Sequence, residues 1–200
     1  MTIRLGACGA LATLILSNVA ATAATDGTVV IAQAYGRNEA LHSYTFHMDI
    51  AMAMRHFPWL HFRLKGDGVY ERGERYSVHL TGGPPFVAGK LHDVDLSMID
   101  PTMWPGHFRF LEAGQQDGDT IFTLEPVDQS NLQSATVALN ATTGAHWVDA
   151  AYCDGTHIHM TVNADDRLGF LLPESLTATV DYPHMPVAAD AQFVDYTLPH

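Results

Sequence analysis

The chain has 200 residues, with 22 Asp and Glu against 10 Lys and Arg, for a formal net charge of −12. That balance argues against nucleic acid and anionic membrane surfaces as direct partners. No apolar stretch reaches the length of a spanning helix, which excludes direct membrane insertion of that kind, and there is enough chain for one domain with a sizeable core.

The first 23 residues read as an export signal. Arg4 supplies a positive start, Leu11, Leu14, Ile15 and Leu16 an apolar stretch, and Ala21-Thr22-Ala23 the small residues of a cleavage site. The expected mature protein therefore begins near Ala24, as a single domain over 24–200 that is free and soluble in the periplasm. Leu5-Gly6-Ala7-Cys8 has the composition of a lipoprotein box, but it precedes the apolar stretch instead of following it, so Cys8 is read as part of the discarded signal. Losing Arg4 leaves nine Lys and Arg against 22 Asp and Glu, a net charge near −13. Cys153 is then the one remaining cysteine, so packing must hold the fold together without an internal disulfide.

Gly27 to Leu41 predicts a short helix with Val29, Val30, Ala32, Gln33 and Tyr35 on its apolar stripe, ending near Gly36 and Asn38. The period then changes to two. Tyr44, Phe46, Met48, Ile50, Met52 and Met54 alternate with Thr45, His47, Asp49, Ala51 and Ala53, the pattern of a strand with one dry and one wet face. After a turn at His56-Phe57-Pro58, Leu60, Phe62 and Leu64 alternate with His61, Arg63 and Lys65, and Gly66 and Gly68 predict a bulge or kink. Tyr76, Val78 and Leu80 give a third strand, and Thr81 to Pro85 a loop. Leu91 to Met103 is expected to hold a helical turn or two broken at Asp100-Pro101. Strands follow around Phe108 and Phe110, over Ile121–Leu124, at Ala135, Val137 and Leu139, and around Trp147. Asp154-Gly155 signals a two-residue hairpin leading into Ile158, Met160 and Val162. That register would place Asp149 opposite Met160, on the dry face; either Asp149 faces the cavity mouth or the register is one residue off. Leu176 to Tyr182 and Val187 to Leu198 complete about ten strands. The class is mainly β: a curved antiparallel sheet forming an incompletely closed barrel, with an N-terminal helix and short lid helices.

This order of elements carries a resemblance. A helix leads into Ser43-Tyr44-Thr45-Phe46, a long hairpin carries Gly66-Asp67-Gly68-Val69-Tyr70, and a closing strand ends Phe193-Val194-Asp195-Tyr196. The pattern resembles the periplasmic outer-membrane lipoprotein-sorting superfamily of the LolA and LolB type over nearly the whole mature chain. Glu74-Arg75-Tyr76-Ser77 stands where the best-known carriers have an arginine-proline strand motif. The resemblance implies an unclosed barrel around an apolar cavity, lidded by helices, with acyl chains of lipids or lipoproteins as ligands and no cofactor.

Met48, Met52 and Met54 share one face with Tyr44, Phe46 and Ile50, and flexible methionines adapt to varied apolar ligands. The expected pocket residues are Phe46, Met48, Ile50, Met52, Met54, Phe62, Leu64, Val78, Ile158 and Met160. The alternative for the same stripe is an ordinary packed core. The 12 histidines occupy polar slots of alternating strands without zinc-type spacing, so no metal site is expected. There is no Gly-x-Ser-x-Gly elbow, phosphate loop or dinucleotide fingerprint, and no catalytic residue is assigned. The expected function is a periplasmic carrier or binder of lipid or acylated lipoprotein. The alternative is an envelope sensing or scaffolding protein that uses the same fold to contact a protein partner.

Overall fold

The computed structural model describes residues 25–83, 93–128, 130–182 and 185–198. Helix α1 (Gly27–Tyr35) runs into a 3-10 turn (Gly36–Asn38). The strands are β1 (Ser43–Met54), β2 (Phe57–Glu71), β3 (Arg75–Gly82), β4 (Asp93–Asp95), β5 (Phe108–Gln116), β6 (Asp119–Pro126), β7 (Leu132–Asn140), β8 (Gly144–Tyr152), β9 (His157–Arg167), β10 (Phe170–Tyr182) and β11 (Met185–Thr197). They form one sheet in the order β4-β3-β2-β1-β11-β10-β9-β8-β7-β6-β5. Every named pair is antiparallel, and β4 and β5 end the sheet without pairing to each other. The fold is therefore mainly β, a curved sheet that does not close into a barrel.

Two short 3-10 turns, Ser97–Ile99 and Pro101–Met103, fill the stretch where helical turns were expected, and β4 adds an eleventh strand just before them. In β1 the expected alternation holds: Tyr44, Phe46, Met48 and Ile50 are buried while Thr45, His47, Asp49 and Ala51 are exposed. The helix turns a different face inward than its stripe suggested. Gly27, Val30, Ile31 and Ala34 are buried and Val29 is 49% exposed. The buried set follows the i, i+3, i+4, i+7 spacing of a single helical face, which Val29 does not share.

Helix α1 packs over the inner face of β5–β8, with Gly27 against Phe110 and Tyr35 at the start of β8. The Asp26 side chain caps it by accepting from the Thr28 N–H at 2.9 Å. The Ala145 N–H donates to the Tyr35 hydroxyl at 3.1 Å. Buried Asn38 donates from Nδ2 to the Leu171 carbonyl and accepts the Leu171 N–H, both at 2.8 Å. Arg72, in the β2–β3 turn, donates to the carbonyls of Asn38 and Leu41.

Three expectations about register are corrected. Gly66 and Gly68 cause no bulge; they pair in regular ladder with Met48 and Phe46. Their role is space. A Cβ on Gly68 would lie 2.0 Å from the Phe46 ring, and one on Gly66 2.4 Å from Val78, so the side chains of neighbouring strands lie over the bare backbone. The irregularity of β2 falls earlier, where the partner register jumps from Ala53↔His61 to Met54↔Phe57 and residues 58–60 bulge out of the ladder. The Asp154-Gly155 hairpin has a three-residue loop, with the Tyr152 N–H donating to the Thr156 carbonyl and Gly155 at φ 84°. The extra residue shifts the register by one, so Asp149 pairs with His159 and Val148 with Met160. Asp149 therefore lies on the wet face.

Candidate functional site

Two apolar clusters line the inner face. One gathers residues of β1, β2, β3, β10 and β11; the other joins α1 to β6, β7 and β8 around Trp104. Met160 packs against both. At the Ser43 end the inner face is filled by rings. Tyr44 stacks on Tyr70 with centroids 4.7 Å apart, and Phe46 meets Tyr76, Phe193 and Tyr196 at 5.4–5.9 Å. Burial raises the pKa of the Tyr44 and Tyr76 hydroxyls well above the ordinary tyrosine value, so the plug carries no charge there.

The ten expected pocket residues all face inward, but they divide along the strands. Phe46, Met48, Ile50, Leu64 and Val78 are buried in the packed core. Met52, Phe62 and Met160 are half-buried against it, and Met54 and Ile158 are half-buried outside both clusters. The apolar face thus passes from filled at the Ser43 end to partly open at the Met54 end.

A second opening was not anticipated. Where the two ends of the sheet fail to meet, a cleft of about 610 Å³ lies between the β2–β3 turn and the start of β3 on one side and the start of β5 and end of β6 on the other. Met98, Met103, Trp104 and Phe108 are its apolar lining, and none of the ten expected residues contributes to it. Its volume is within the ordinary range of small-molecule sites. The segment that floors it has no periodicity to read, and its residues come together only because both sheet edges converge on it.

Asp100 ties that floor down. It is buried, and its carboxylate accepts from the Thr102 N–H at 2.9 Å and the Thr102 hydroxyl at 2.8 Å. Burial is the larger influence and raises its pKa above the usual 3.8; the Thr102 bonds pull it back. The folded chain therefore binds this proton more tightly than the unfolded chain. Stability falls as pH rises from the ordinary aspartate range through the raised value, and it stays reduced above that value. Asp100→Asn, which keeps an acceptor oxygen, is expected to flatten this decline and leave the neutral-pH protein at least as stable. Urea midpoints of both proteins from about pH 4 to about pH 8 measure it.

Among the described residues, several wet-face histidines pair with carboxylates: His47 lies 2.7 Å from Asp67 and His79 2.9 Å from Asp93, while Asp149 accepts from both His157 (2.6 Å) and His159 (3.2 Å). Among the described residues no three His, Cys, Asp or Glu converge to hold a metal. One relay has the atoms of a nucleophile, base and acid. His146 Nε2 is 2.6 Å from the Thr143 hydroxyl, and His146 Nδ1 is 2.7 Å from Asp119. Catalysis by such a relay also needs donors for an oxyanion. The Thr142 and Thr143 N–H groups already donate to Asn140 Oδ1, at 2.9 and 3.3 Å, so the relay reads as a brace for the β7–β8 turn.

No family model and no curated protein matches the sequence. Solved structures do match. A LolA superfamily protein from Nitrosomonas europaea superposes with a TM-score of 0.64 at 13% identity, covering 88% of this chain and 95% of its own. A DUF1329 family protein from Desulfovibrio piger gives 0.61 at 8% identity, covering 86% and 90%. A domain named for outer-membrane lipoprotein sorting, from Vibrio parahaemolyticus, gives 0.52 at 13% identity, covering 82% and 88%. At these identities the likeness concerns the fold.

Proposed function

We propose, starting from the LolA-like fold of this chain, that the protein is a periplasmic carrier or binder of a lipid or of the acyl group of a lipoprotein. The observation that carries the reading is the unsealed inner face: buried at Phe46 and Met48, half-buried at Met52 and Met54, on a sheet whose outer strands do not pair. Met52, Met54, Phe62, Ile158 and Met160 would take the chain, while the rings at the Ser43 end stop its travel. Burial is worth about 0.8 kcal/mol per CH₂, so a chain of about 16 carbons gains on the order of 12 kcal/mol gross. That exceeds the lower estimates for lost rigid-body freedom, and no catalytic group is needed. The spent donors around Thr143 support a role without chemistry. The expected export signal and periplasmic location belong to the same proposal.

Met52→Trp tests it. If an acyl chain uses the space beside Met52, the ring takes that space: a fluorescent fatty acyl probe should bind the wild type and bind the variant more weakly, with the melting temperature held. If the face is packed core, the larger ring costs roughly 1–3 kcal/mol of stability. A wild type that never binds the probe, together with a variant that unfolds at lower urea, would sink the carrier reading in favour of an envelope scaffold.

A further inference from the structure

The bulge in β2 has a product. Residues 58–60 leave the ladder between the pairs Ala53↔His61 and Met54↔Phe57, and Trp59, within the bulge, is 74% exposed. Phe57 is 48% exposed and meets Trp59 edge-on, with ring centroids 5.9 Å apart. Tyr182, at the adjacent end of β10, is 53% exposed. Bulges commonly serve to re-aim a side chain. Here one turns the largest apolar side chain of the hairpin away from a sheet whose inner face has room for half-buried residues nearby.

The tip's own stretch of sequence differs in charge from the rest of the chain, while the sheet sets Asp49 opposite Lys65 and brings Asp190 to the Ala51 row beside Arg63. Across the 17 residues from Ile50 to Gly66 there is no Asp or Glu, although the chain has 22, and the stretch holds Arg55, Arg63 and Lys65, with His56 and His61. Arg55 is paired to Asp181 at 2.7 Å, which anchors the hairpin to β10. Aromatic rings backed by cationic side chains suit the level of lipid headgroups, where a ring has an apolar and a wet side. Size also bears on the choice of occupant. A stable protein interface takes roughly 800 Å² from each partner, and two rings supply only a few hundred at roughly 150–250 Å² each. A bilayer interface asks for no more than such a tip.

We propose that the Phe57–Trp59 tip of the β1–β2 hairpin docks the protein on the headgroup region of a phospholipid bilayer, bringing the Met54 end of the inner face to the membrane surface. No segment crosses the bilayer, and the acidic remainder of the molecule faces away. This goes beyond the carrier reading and stands without it: vesicle docking can hold with no acyl chain bound, and probe binding can hold with no docking.

Flotation of the full protein with phosphatidylethanolamine–phosphatidylglycerol vesicles (3:1) and with phosphatidylcholine vesicles is the test. Binding to the first is expected, with a blue shift in tryptophan emission that Trp59→Ser removes. Trp59→Ser and Phe57→Ser should each weaken partitioning by about tenfold or more. Leu111→Ser, an exposed apolar site on β5, should leave it unchanged. Both tip residues are exposed, so melting temperatures should match the wild type and exclude misfolding as the cause. Binding to phosphatidylcholine alone with the same loss in the tip variants would also support docking, through the rings without the charge. Absence of flotation with either vesicle overturns the proposal, as does flotation that the tip variants do not change. Photocrosslinking from position 59 to a discrete protein in intact cells, in place of lipid, would assign the tip to a protein partner and equally overturn it.

Discussion

Phe46→Ala is expected to lower the unfolding free energy by about 3–5 kcal/mol, the usual cost of emptying a buried aromatic site. The environment gives the site little means to collapse. The ring is 2% exposed, lies over the bare backbone of Gly68, and is held among Tyr76 on β3 and Phe193 and Tyr196 on β11. Tyr76 and Phe193 are fixed by their own ladders, opposite Tyr70 and Met48, so the void should persist. Urea unfolding of both proteins gives the difference. The companion change Gly68→Ala approaches the same contact from the other side: its Cβ would sit 2.0 Å from the ring, and overpacking should cost roughly 1–3 kcal/mol. A Phe46→Ala protein that loses less than about 1 kcal/mol would mean that the aromatic plug is not a packed unit.

Asn38→Ala has the second large expected effect, about 2–4 kcal/mol. Asn38 is 7% exposed and satisfies both the N–H and the carbonyl of Leu171. Removing the amide strands two buried backbone groups, each costing about 1–3 kcal/mol when left unpaired. Water reaching the gap would soften the loss, which is why the expected total lies below the maximum. Because Asn38 joins the turn after α1 to the start of β10, hydrogen exchange should quicken at Leu171 before it quickens in the centre of β1. An unchanged unfolding midpoint would show that the clamp contributes nothing.

Much of this architecture is legible in the chain, and the illegible parts have physical reasons. The run from Tyr44 to Met54 declares its strand and its dry face because one sheet face is buried for most of that length. Asp154-Gly155 declares a hairpin but leaves its loop length open: two and three residues are both compatible with that dipeptide, and the choice flips every side chain of β8 against β9. Asp149 moved from dry face to wet face on that one residue. Gly66 and Gly68 announce only that something needs room; that it is Val78 and Phe46 depends on the cross-strand register. The pocket stripe was found as a face, but how far it is filled depends on Tyr70, Tyr76 and Phe193, which come from elsewhere in the sequence. Met98, Met103 and Trp104 stayed hidden because they sit in 3-10 turns and irregular chain, where no period marks an inward side.

The strand order also bears on how the molecule assembles. Apart from β1 with β11, every ladder joins strands that are consecutive in the chain, so β1–β4 and β5–β11 are two meanders that can each zip locally. The ladder uniting them pairs Thr45 with Thr197 and Met54 with Val187, closing loops of more than a hundred residues. Loop entropy makes such a contact slow to form, although the cost grows only gently with length. A nascent or refolding chain therefore has two half-sheets, each with an unpaired inner edge at β1 or β11 that belongs in the middle of the finished sheet. Until that seam forms, these edges are the places where a second chain can pair wrongly.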